Sequence, residues 1–318
     1  MKTYQEPVQN DRIISRHLRA AAHAVRYSKA SIAIRKSRPA IAARNSLAVA
    51  MTPPYAMPGH YYSPLSGHSD YERAIEMLDD GCPALDLNEG RQRDLAKILL
   101  PMLDELPTDR YAPNDMYPVI DAAVYSAMLR TLRPARIVEV GSGYSTAVAL
   151  DAVDRWLAGT KITCIEPYPA RLLAQLRPTD NVDLFEVGVQ QVPLKLFMSL
   201  EPGDILFIDS THVAKAGSDV IWLFLHVLPR LRAGVTVHVH DIFWPLEYPQ
   251  EWLRERRDWN ESYLLHAFLA YNKEWSIELF GDWLFGRLKE DLIEAAPRLA
   301  ACRPASLWIS RTGAGSEH

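Results

Sequence analysis

The sequence of 318 residues predicts a doubly wound α/β fold around a seven-stranded, mostly parallel sheet. Three observations predict it. Short β-branched runs alternate with helical segments in the second half of the chain, a glycine-rich turn follows the first of these runs, and two further strand-like runs come late. Since parallel strands need crossover connections, the alternation favours helices on both faces of one sheet.

Each element has its own pattern. The predicted strands are short apolar runs rich in β-branched residues, at 136–140, 161–165, 182–186, 204–208, 235–239, 275–280 and 306–310. Helical spacing of apolar residues predicts the main helices, at 118–132, 145–157, 169–176, 218–231, 259–272 and 288–300. The first five strands would lie parallel, and the last two would close the far edge of the sheet.

The region before the sheet divides into two parts. Residues 1–50 hold ten Lys or Arg and two acidic residues, a charge of +8, which leaves −12 on the remainder of the chain. Apolar residues from Ile14 to Val25 recur every three or four positions, so we expect a basic helical arm. Opposite charge would draw this arm to the acidic body as a lid contact, or to a second copy as a homodimer contact. Membrane-surface and targeting roles are the alternatives. Residues 51–117 predict a Pro- and Tyr-rich loop followed by helices.

Composition excludes several classes of protein. The net charge of −4 argues against a dedicated nucleic-acid binder. The three cysteines form no CxxC pair, which argues against a disulfide framework and a zinc knuckle. No apolar run approaches the roughly 20 residues that span a bilayer, and the N-terminus lacks the apolar core of a secretory signal. These features favour a soluble cytoplasmic protein with no nucleic-acid partner and no integral membrane segment.

The glycine turn predicts a nucleoside-containing ligand. The first strand ends in Glu139-Val140, and the turn Gly141-Ser142-Gly143 brings backbone N–H groups close to a ligand. Thr146 replaces the third glycine of the dinucleotide fingerprint, which makes a pyrophosphate less favoured. Glu139 precedes the turn and could face a cationic amino acid group. Glu166 ends the second strand, where a carboxylate can accept both hydroxyls of a ribose.

These motifs resemble a known family. Glu139-Val140-Gly141-Ser142-Gly143, followed by Ile165-Glu166-Pro167, resembles the first two motifs of the class I S-adenosylmethionine-dependent methyltransferases. The segments 206–212 and 238–242 are similar to the fourth- and fifth-strand motifs of a small-molecule branch of that family. The resemblance covers about residues 118–285. It implies a Rossmann-like methyltransferase fold with strand order 3-2-1-4-5-7-6, an antiparallel seventh strand, and S-adenosylmethionine as co-substrate.

The resemblance also assigns roles. It implies that Glu139 lies near the methionine part of the cofactor, that Glu166 holds the ribose, and that residues 188–191 flank the adenine. An acidic residue common at the adenine is missing here, so Gln190 or Gln191 must replace it. The candidate cofactor-binding residues are Glu139, Gly141, Ser142, Gly143, Ser145, Glu166, Pro167, Gln190, Asp209 and Ser210.

The chemistry is expected where strands four and five end. Asp209, His212 and His240 are the candidate catalytic residues, with a histidine as general base toward an acceptor hydroxyl. The same side chains with Asp241 could instead form a metal site. The tandem carboxylate pattern of metal-dependent relatives is absent, however. The sequence therefore predicts no metal and activity that survives chelation.

Aromatic residues are expected to shape the acceptor pocket. Tyr55, Tyr61 and Tyr62 precede the core, where the family commonly places a lid. An aromatic insertion at 243–272 follows the fifth strand, although core packing would explain many of its aromatics. The candidate pocket residues are Tyr55, Tyr61, Tyr62, Tyr144, Asp241 and Trp244.

The leading functional prediction is a small-molecule methyltransferase that acts on oxygen. An alternative keeps the cofactor but cyclises or cleaves it, for example to azetidine-2-carboxylate with release of methylthioadenosine. A nicotinamide-dependent oxidoreductase is a third prediction, and a non-catalytic module that uses the basic arm is a fourth.

Overall fold

The computed structural model describes residues 54–77, 81–114 and 116–313, and the backbone alone of residues 26–27. Its strands, in chain order, are β1 Arg26–Tyr27, β2 Arg136–Val140, β3 Lys161–Ile165, β4 Val182–Phe185, β5 Ile205–Ile208, β6 Thr236–His240, β7 Trp275–Phe280 and β8 Ser306–Arg311. They form one sheet in the order β1-β4-β3-β2-β5-β6-β8-β7. Within the described sheet, β8 alone runs opposite to the other strands.

The predicted fold class is confirmed. Strands β2 to β8 follow the expected order, with β8 in the position of the antiparallel seventh strand. The short β1 adds an eighth strand at the far edge, parallel to β4. Over Arg26–Tyr27 the backbone is thus a strand and not the predicted helix. The rest of the arm, residues 1–25 and 28–50, lies outside the described residues, so its helix and its dimer contact stay predictions.

Helices cover the sheet on both faces. The α-helices are α1 His68–Glu76, α2 Glu89–Leu99, α3 Val119–Leu132, α4 Tyr144–Trp156, α5 Ala170–Leu173, α6 Leu194–Met198, α7 Asp219–Trp222, α8 Gln250–Arg254, α9 Glu261–Leu269, α10 Gly281–Arg287 and α11 Lys289–Ala295. A 3-10 segment, Leu100–Glu105, extends α2, and a π-helical turn, Leu223–Val227, follows α7. No helix in the described ranges combines the length and the apolar character needed to cross a bilayer.

Burial explains why these runs become strands. All four residues of β5 and all five of β6 are buried, as expected for a parallel sheet covered on both faces. The carboxyl ends of β2, β3, β5 and β6 meet at one edge of the sheet. Between β2 and β5 the strand order reverses, which is where open α/β sheets bind their ligands.

Strand β8 lies between β6 and β7, although it follows both in the chain. The segment entering it is held from two sides. Ala305 N donates to Asp121 Oδ1 at 2.8 Å, and Ile242 N donates to Ala305 O at 3.2 Å. Asp121 is fully buried on α3, and burial raises its pKa to about 6. This contact joins α3 to the end of β6, where the site lies.

Candidate cofactor and acceptor site

The turn after β2 is pressed against the end of β5. Gly141 has a φ of +80°, and its N–H donates to Ile165 O at 3.1 Å. A Cβ atom at this position would lie 1.7 Å from the carbonyl oxygen of Asp209. Only glycine therefore fits at position 141, and the close approach sets the cofactor loop directly beside Asp209.

Glu139 lies beneath this loop and not in the site. It is fully buried, its carboxylate accepts hydrogen bonds from the hydroxyls of Ser145 and Thr146, and Gly143 N donates to Thr146 Oγ1 at 3.0 Å. The expected direct contact between Glu139 and a ligand is not what the structure shows. The side chain does not line the cofactor cavities, because it turns inward to fasten the start of α4 to β2.

Burial raises the pKa of Glu139 to about 8, against hydrogen bonds from Ser145 and Thr146 that lower it. The native state therefore binds this proton more tightly than the unfolded chain, whose ordinary value is 4.5. The stabilisation from this raised pKa is complete below the ordinary value and is lost as the pH rises through about 8, on the order of 1 kcal/mol per pH unit.

Glu139→Gln cannot lose a proton, so the melting temperature of this variant should rise relative to that of the wild type between about pH 5 and about pH 9. Melting curves by circular dichroism test this, with the exposed Glu290→Gln as control. Parallel curves for the wild type and Glu139→Gln would contradict it.

Glu166 has the exposure that Glu139 lacks. Its carboxylate accepts from Ser142 N at 3.3 Å and from Tyr168 N at 2.7 Å, so it spans the mouths of two βα turns. The side chain is half-buried and lines two adjoining cavities. Its position at the end of β3 is the one predicted for a ribose-binding carboxylate.

Two cavities meet at the carboxyl edge of the sheet. The larger, of about 920 Å³, lies over the glycine turn and extends to the aromatic insertion. The smaller, of about 440 Å³, lies between Pro167, Gln190 and Lys215. The two share the residues Gly141, Glu166, Asp209, Ser210 and Thr211. One elongated ligand can therefore occupy both.

Three side chains converge on the floor of the larger cavity. His212 Nε2 lies 3.4 Å from Asp209 Oδ1 and 3.5 Å from Asp241 Oδ2, and its Nδ1 lies 2.9 Å from Oε2 of the fully buried Glu261. His212 and Asp241 both have left-handed backbone, with φ of +58° and +57°. Such strained conformations in non-glycine residues cluster at functional sites. Burial alone would lower the pKa of His212, but Asp209 and Glu261 raise it well above its usual value.

This cluster favours the alternative of a metal site, while the prediction from sequence that no metal is needed stays a prediction. One atom from each of Asp209, His212 and Asp241 lies within 4.8 Å of the others. Ligand atoms about 2.1 Å from one ion are separated by roughly 3 to 3.5 Å, which matches the separations at His212. Glu261 on Nδ1 orients the ring as carboxylates orient metal-binding histidines. The residues therefore fit a divalent cation. A tandem carboxylate is not needed, because the turn after β5 supplies His212 as a third donor.

His240 differs from its predicted role. Only 1% of its surface is exposed, it does not line the cavity, and its Nε2 lies 3.6 Å from Asp241 Oδ1. It packs beside Tyr117, at 4.9 Å between ring centroids, and stacks on His238. Tyr117, Asp241 and Ala305 line the cavity in this region, and the ring of His240 lies behind them. His238 is buried between Phe207 and Trp308.

Comparison with known proteins agrees with this geometry. A family model described as a methyltransferase domain matches residues 138–242, from β2 to just past β6. An uncharacterized protein of Archaeoglobus fulgidus is 32% identical over 161 residues, which cover 45% of this chain and 73% of that protein. The chain belongs to the class I S-adenosylmethionine-dependent methyltransferases. The resemblance inferred from the motifs is thereby confirmed.

Solved structures similar to this methyltransferase resemble it weakly overall. One is the O-methyltransferase TomG from Streptomyces achromogenes in complex with S-adenosylmethionine. It is 15% identical with a TM-score of 0.40, over 77% of this chain and 96% of TomG. Another is the S-adenosylhomocysteine-bound methyltransferase PaMTH1 of Podospora anserina. It is 14% identical with a TM-score of 0.41, over 79% of this chain and 99% of PaMTH1.

Most of the predicted cofactor-binding residues lie together in the methyltransferase. Except for Glu139, all of them line one or both cavities: Gly141, Ser142, Gly143, Ser145, Glu166, Pro167, Gln190, Asp209 and Ser210. Gln190 donates to Gly217 O at 3.0 Å and borders the smaller cavity, and its contact with adenine stays a prediction. Of the predicted pocket residues, Tyr144 and Asp241 line the larger cavity.

The remaining predicted pocket residues lie elsewhere. Tyr55, Tyr61 and Tyr62 are 91%, 82% and 62% exposed and do not line the larger cavity. Their loop folds on itself, with Gly59 N donating to Leu65 O at 3.0 Å, so the three rings lie on the outside of the molecule. Trp244 also misses the cavity, because its ring packs near Trp283 and its backbone N–H donates to Asp282 Oδ2 at 2.7 Å.

Other residues of the aromatic insertion take their place. Phe243, Trp252 and Trp259 line the larger cavity together with Arg257, and Arg171 and Arg303 complete its basic lining. The concentration of aromatic residues after β6 indicated that this segment lines the cavity. Which of these residues face the cavity depends on the conformation of the loop backbone, which the sequence does not show. Glu261 gave no signal beyond its place at the start of α9.

Proposed function

We propose that the enzyme transfers the methyl group of S-adenosylmethionine to a hydroxyl oxygen of a small molecule. The convergence of Asp209, His212 and Asp241 beside the glycine turn carries this proposal. These groups lie where the reacting end of a cofactor on that turn would lie, and acidic and imidazole groups there suit a hydroxyl acceptor.

The cofactor is proposed to span both cavities. Glu166 accepts the ribose hydroxyls at their junction, and Pro167 and Gln190 flank the adenine in the smaller cavity. The methionine part lies over Gly141 to Gly143, where N–H groups at the start of α4 face its carboxylate. Glu139 acts indirectly, as a positioning residue that fixes the turn through Ser145 and Thr146. The methyl group then points toward Asp209.

Asp241 is proposed as the group that takes the acceptor's proton. It lies in the cavity, whereas His240 lies behind it and orients the carboxylate. His212 fixes the second oxygen of Asp241 from the other side. Methyl transfer by direct displacement needs little beyond alignment of the acceptor with the methyl group. Trp252 and Trp259, which line the cavity, exclude water from it.

A divalent cation is proposed at the same floor, because the spacing of the three donors fits one. Asp209 Oδ1, His212 Nε2 and Asp241 Oδ2 would hold it, with Glu261 orienting His212, and the other oxygen of Asp241 would remain to take the acceptor's proton. When bound, such an ion lowers the pKa of a coordinated hydroxyl and holds the acceptor in place.

Product analysis tests the proposed reaction. Purified protein incubated with S-adenosylmethionine and a pool of hydroxylated aromatic acceptors should form S-adenosylhomocysteine and methylated acceptor in equal amounts. The measurement is liquid chromatography with mass spectrometry, with an incubation lacking acceptors as control. Methylthioadenosine without a methylated acceptor would show cyclisation or cleavage of the cofactor instead. Binding of NAD more tightly than of S-adenosylmethionine in calorimetry would contradict the cofactor itself.

A further inference from the structure

We propose that the acceptor is an acid: beside its reacting hydroxyl it carries a carboxylate or similar anion, which Arg257 binds. The inference rests on the proposed function and names the substrate class of the same site. It comes from the charges on the walls of the larger cavity, which the reaction itself does not explain.

Arg257 is held between two indole rings at the cavity wall. Its guanidinium carbon lies 4.0 Å from the ring centroid of Trp252 and 5.1 Å from that of Trp259. Stacking of this kind fixes the plane of the guanidinium and of its N–H groups. Its Nε and Nη2 atoms lie 2.9 and 2.8 Å from Oε2 of Glu255, the one carboxylate that pairs with it in the described chain, and that side chain is 57% exposed. Water screens such a pair, so an anion from the cavity can displace it.

Arg303 lines the same cavity but is already neutralised. Its Nε and Nη2 atoms donate to the two oxygens of Asp282, at 2.7 and 2.6 Å, in a fork-to-fork pair. Asp282 is only 11% exposed, and Arg303 also donates to Trp244 O at 3.1 Å. These bonds hold the aromatic insertion in place and leave no charge for a ligand. The comparison isolates Arg257 as the available cation on this wall.

Arg171 is a second cation, on the opposite wall. It lies over the ring of Tyr144 at 5.3 Å, and its Cδ would be 3.0 Å from a Cβ at Gly143. Among the described residues no ion pair to it is found within 4.0 Å. Because it borders the glycine turn, it is placed to face the cofactor's carboxylate. Discrimination among acceptors therefore falls to Arg257.

Trp259 links this cation to the reacting floor. Its ring lies 4.4 Å from that of His212 and 5.1 Å from the guanidinium carbon of Arg257. A planar acceptor lying against Trp259 can place its hydroxyl at Asp241 and its acid group at Arg257. In the opposite orientation the acid group of the acceptor would face the carboxylates of Asp209 and Asp241, which would repel it. The acidic floor and Arg257 together therefore determine which hydroxyl of the acceptor reacts.

The test compares two probes that differ by one carboxylate, 3,4-dihydroxybenzoate and catechol. Calorimetry on the full chain saturated with S-adenosylhomocysteine should give about tenfold tighter binding of dihydroxybenzoate. In Arg257→Met this preference should fall to about twofold, while catechol binds as in the wild type. Arg257→Lys should recover most of the preference, and Arg254→Met, on the exposed side of α8, should leave it unchanged.

Equal binding of the two probes by the wild type, or no binding of either, overturns the proposal. So does a preference that survives in Arg257→Met. The proposed function is read separately, from S-adenosylhomocysteine formed on incubation of catechol with S-adenosylmethionine. If catechol is methylated but dihydroxybenzoate is not bound more tightly, the proposed methyltransferase function holds and the proposal of an acidic acceptor is wrong.

Discussion

Dialysis against EDTA is expected to lower methyl transfer at least about a hundredfold, with magnesium or manganese restoring it. Asp209 and Asp241 meet at His212 with separations that fit shared coordination, and Glu261 fixes the imidazole that would complete it. Asp241→Asn keeps the size of the side chain and removes one charged donor, so it should lose activity to a similar extent and weaken metal binding about tenfold or more.

Two readouts separate a metal role from a structural one. Calorimetry should show manganese binding to the wild type but much weaker binding to Asp241→Asn, with S-adenosylmethionine bound by both. Asp104→Asn, in an exposed ion pair with Arg298, is the matched control. Full turnover after chelation would contradict the metal proposal and support the prediction from sequence that no metal is needed. The cluster would then be an imidazolium held between carboxylates.

Gly141→Ala is expected to abolish measurable cofactor binding. The new methyl group would overlap the carbonyl oxygen of Asp209 at 1.7 Å, and the backbone would keep a φ of +80° that a Cβ disfavours. Strain and overpacking together should cost about 3 kcal/mol or more, partly relieved by moving the turn away from β5. Movement of the turn would displace the N–H groups that face the ligand.

A second glycine separates the clash from the backbone conformation. Gly159 has a φ of +100°, but a Cβ there would meet nothing within 4 Å. Gly159→Ala should therefore cost only the conformational strain, about 1 kcal/mol, and keep cofactor binding. Melting temperature and calorimetry with S-adenosylhomocysteine measure both variants. Equal behaviour of Gly141→Ala and Gly159→Ala would show that the contact with Asp209 is unimportant.

Sequence patterns placed the sheet well because the strands are buried on both faces. Strand β2 was predicted with its observed bounds, since a β-branched run next to a glycine turn leaves few alternatives. The residues on the cofactor turn followed from it, because a turn at a strand end can point only toward the carboxyl edge. The adjoining helices α6, α8 and α10 were missed, since runs of five to seven residues carry little periodicity.

The residues around the reaction centre were harder to place. His212 and Asp241 both have left-handed backbone, and although His and Asp adopt it more often than most residues, no sequence pattern says which His or Asp will do so. His240 alternates correctly along β6, yet Tyr117 covers it, and that packing is not visible in a strand pattern. The tyrosines of the Pro-rich loop were misplaced because aromatic content alone cannot say which way a loop folds.

The late position of β8 in the chain has a consequence for synthesis on the ribosome. The strand inserts between two strands made before it, and the segment that leads into it bonds to Asp121, 184 residues away. Arg303 and Ala305, on that segment, line the larger cavity. A nascent chain that ends before residue 306 therefore presents β6 with an unpaired edge and an unfinished acceptor cavity. Pairing across so long a separation in sequence is slow to form. The ability to bind substrate is thus acquired only after the segment with β8 has left the exit tunnel, and a stalled chain would expose β6 to aggregation.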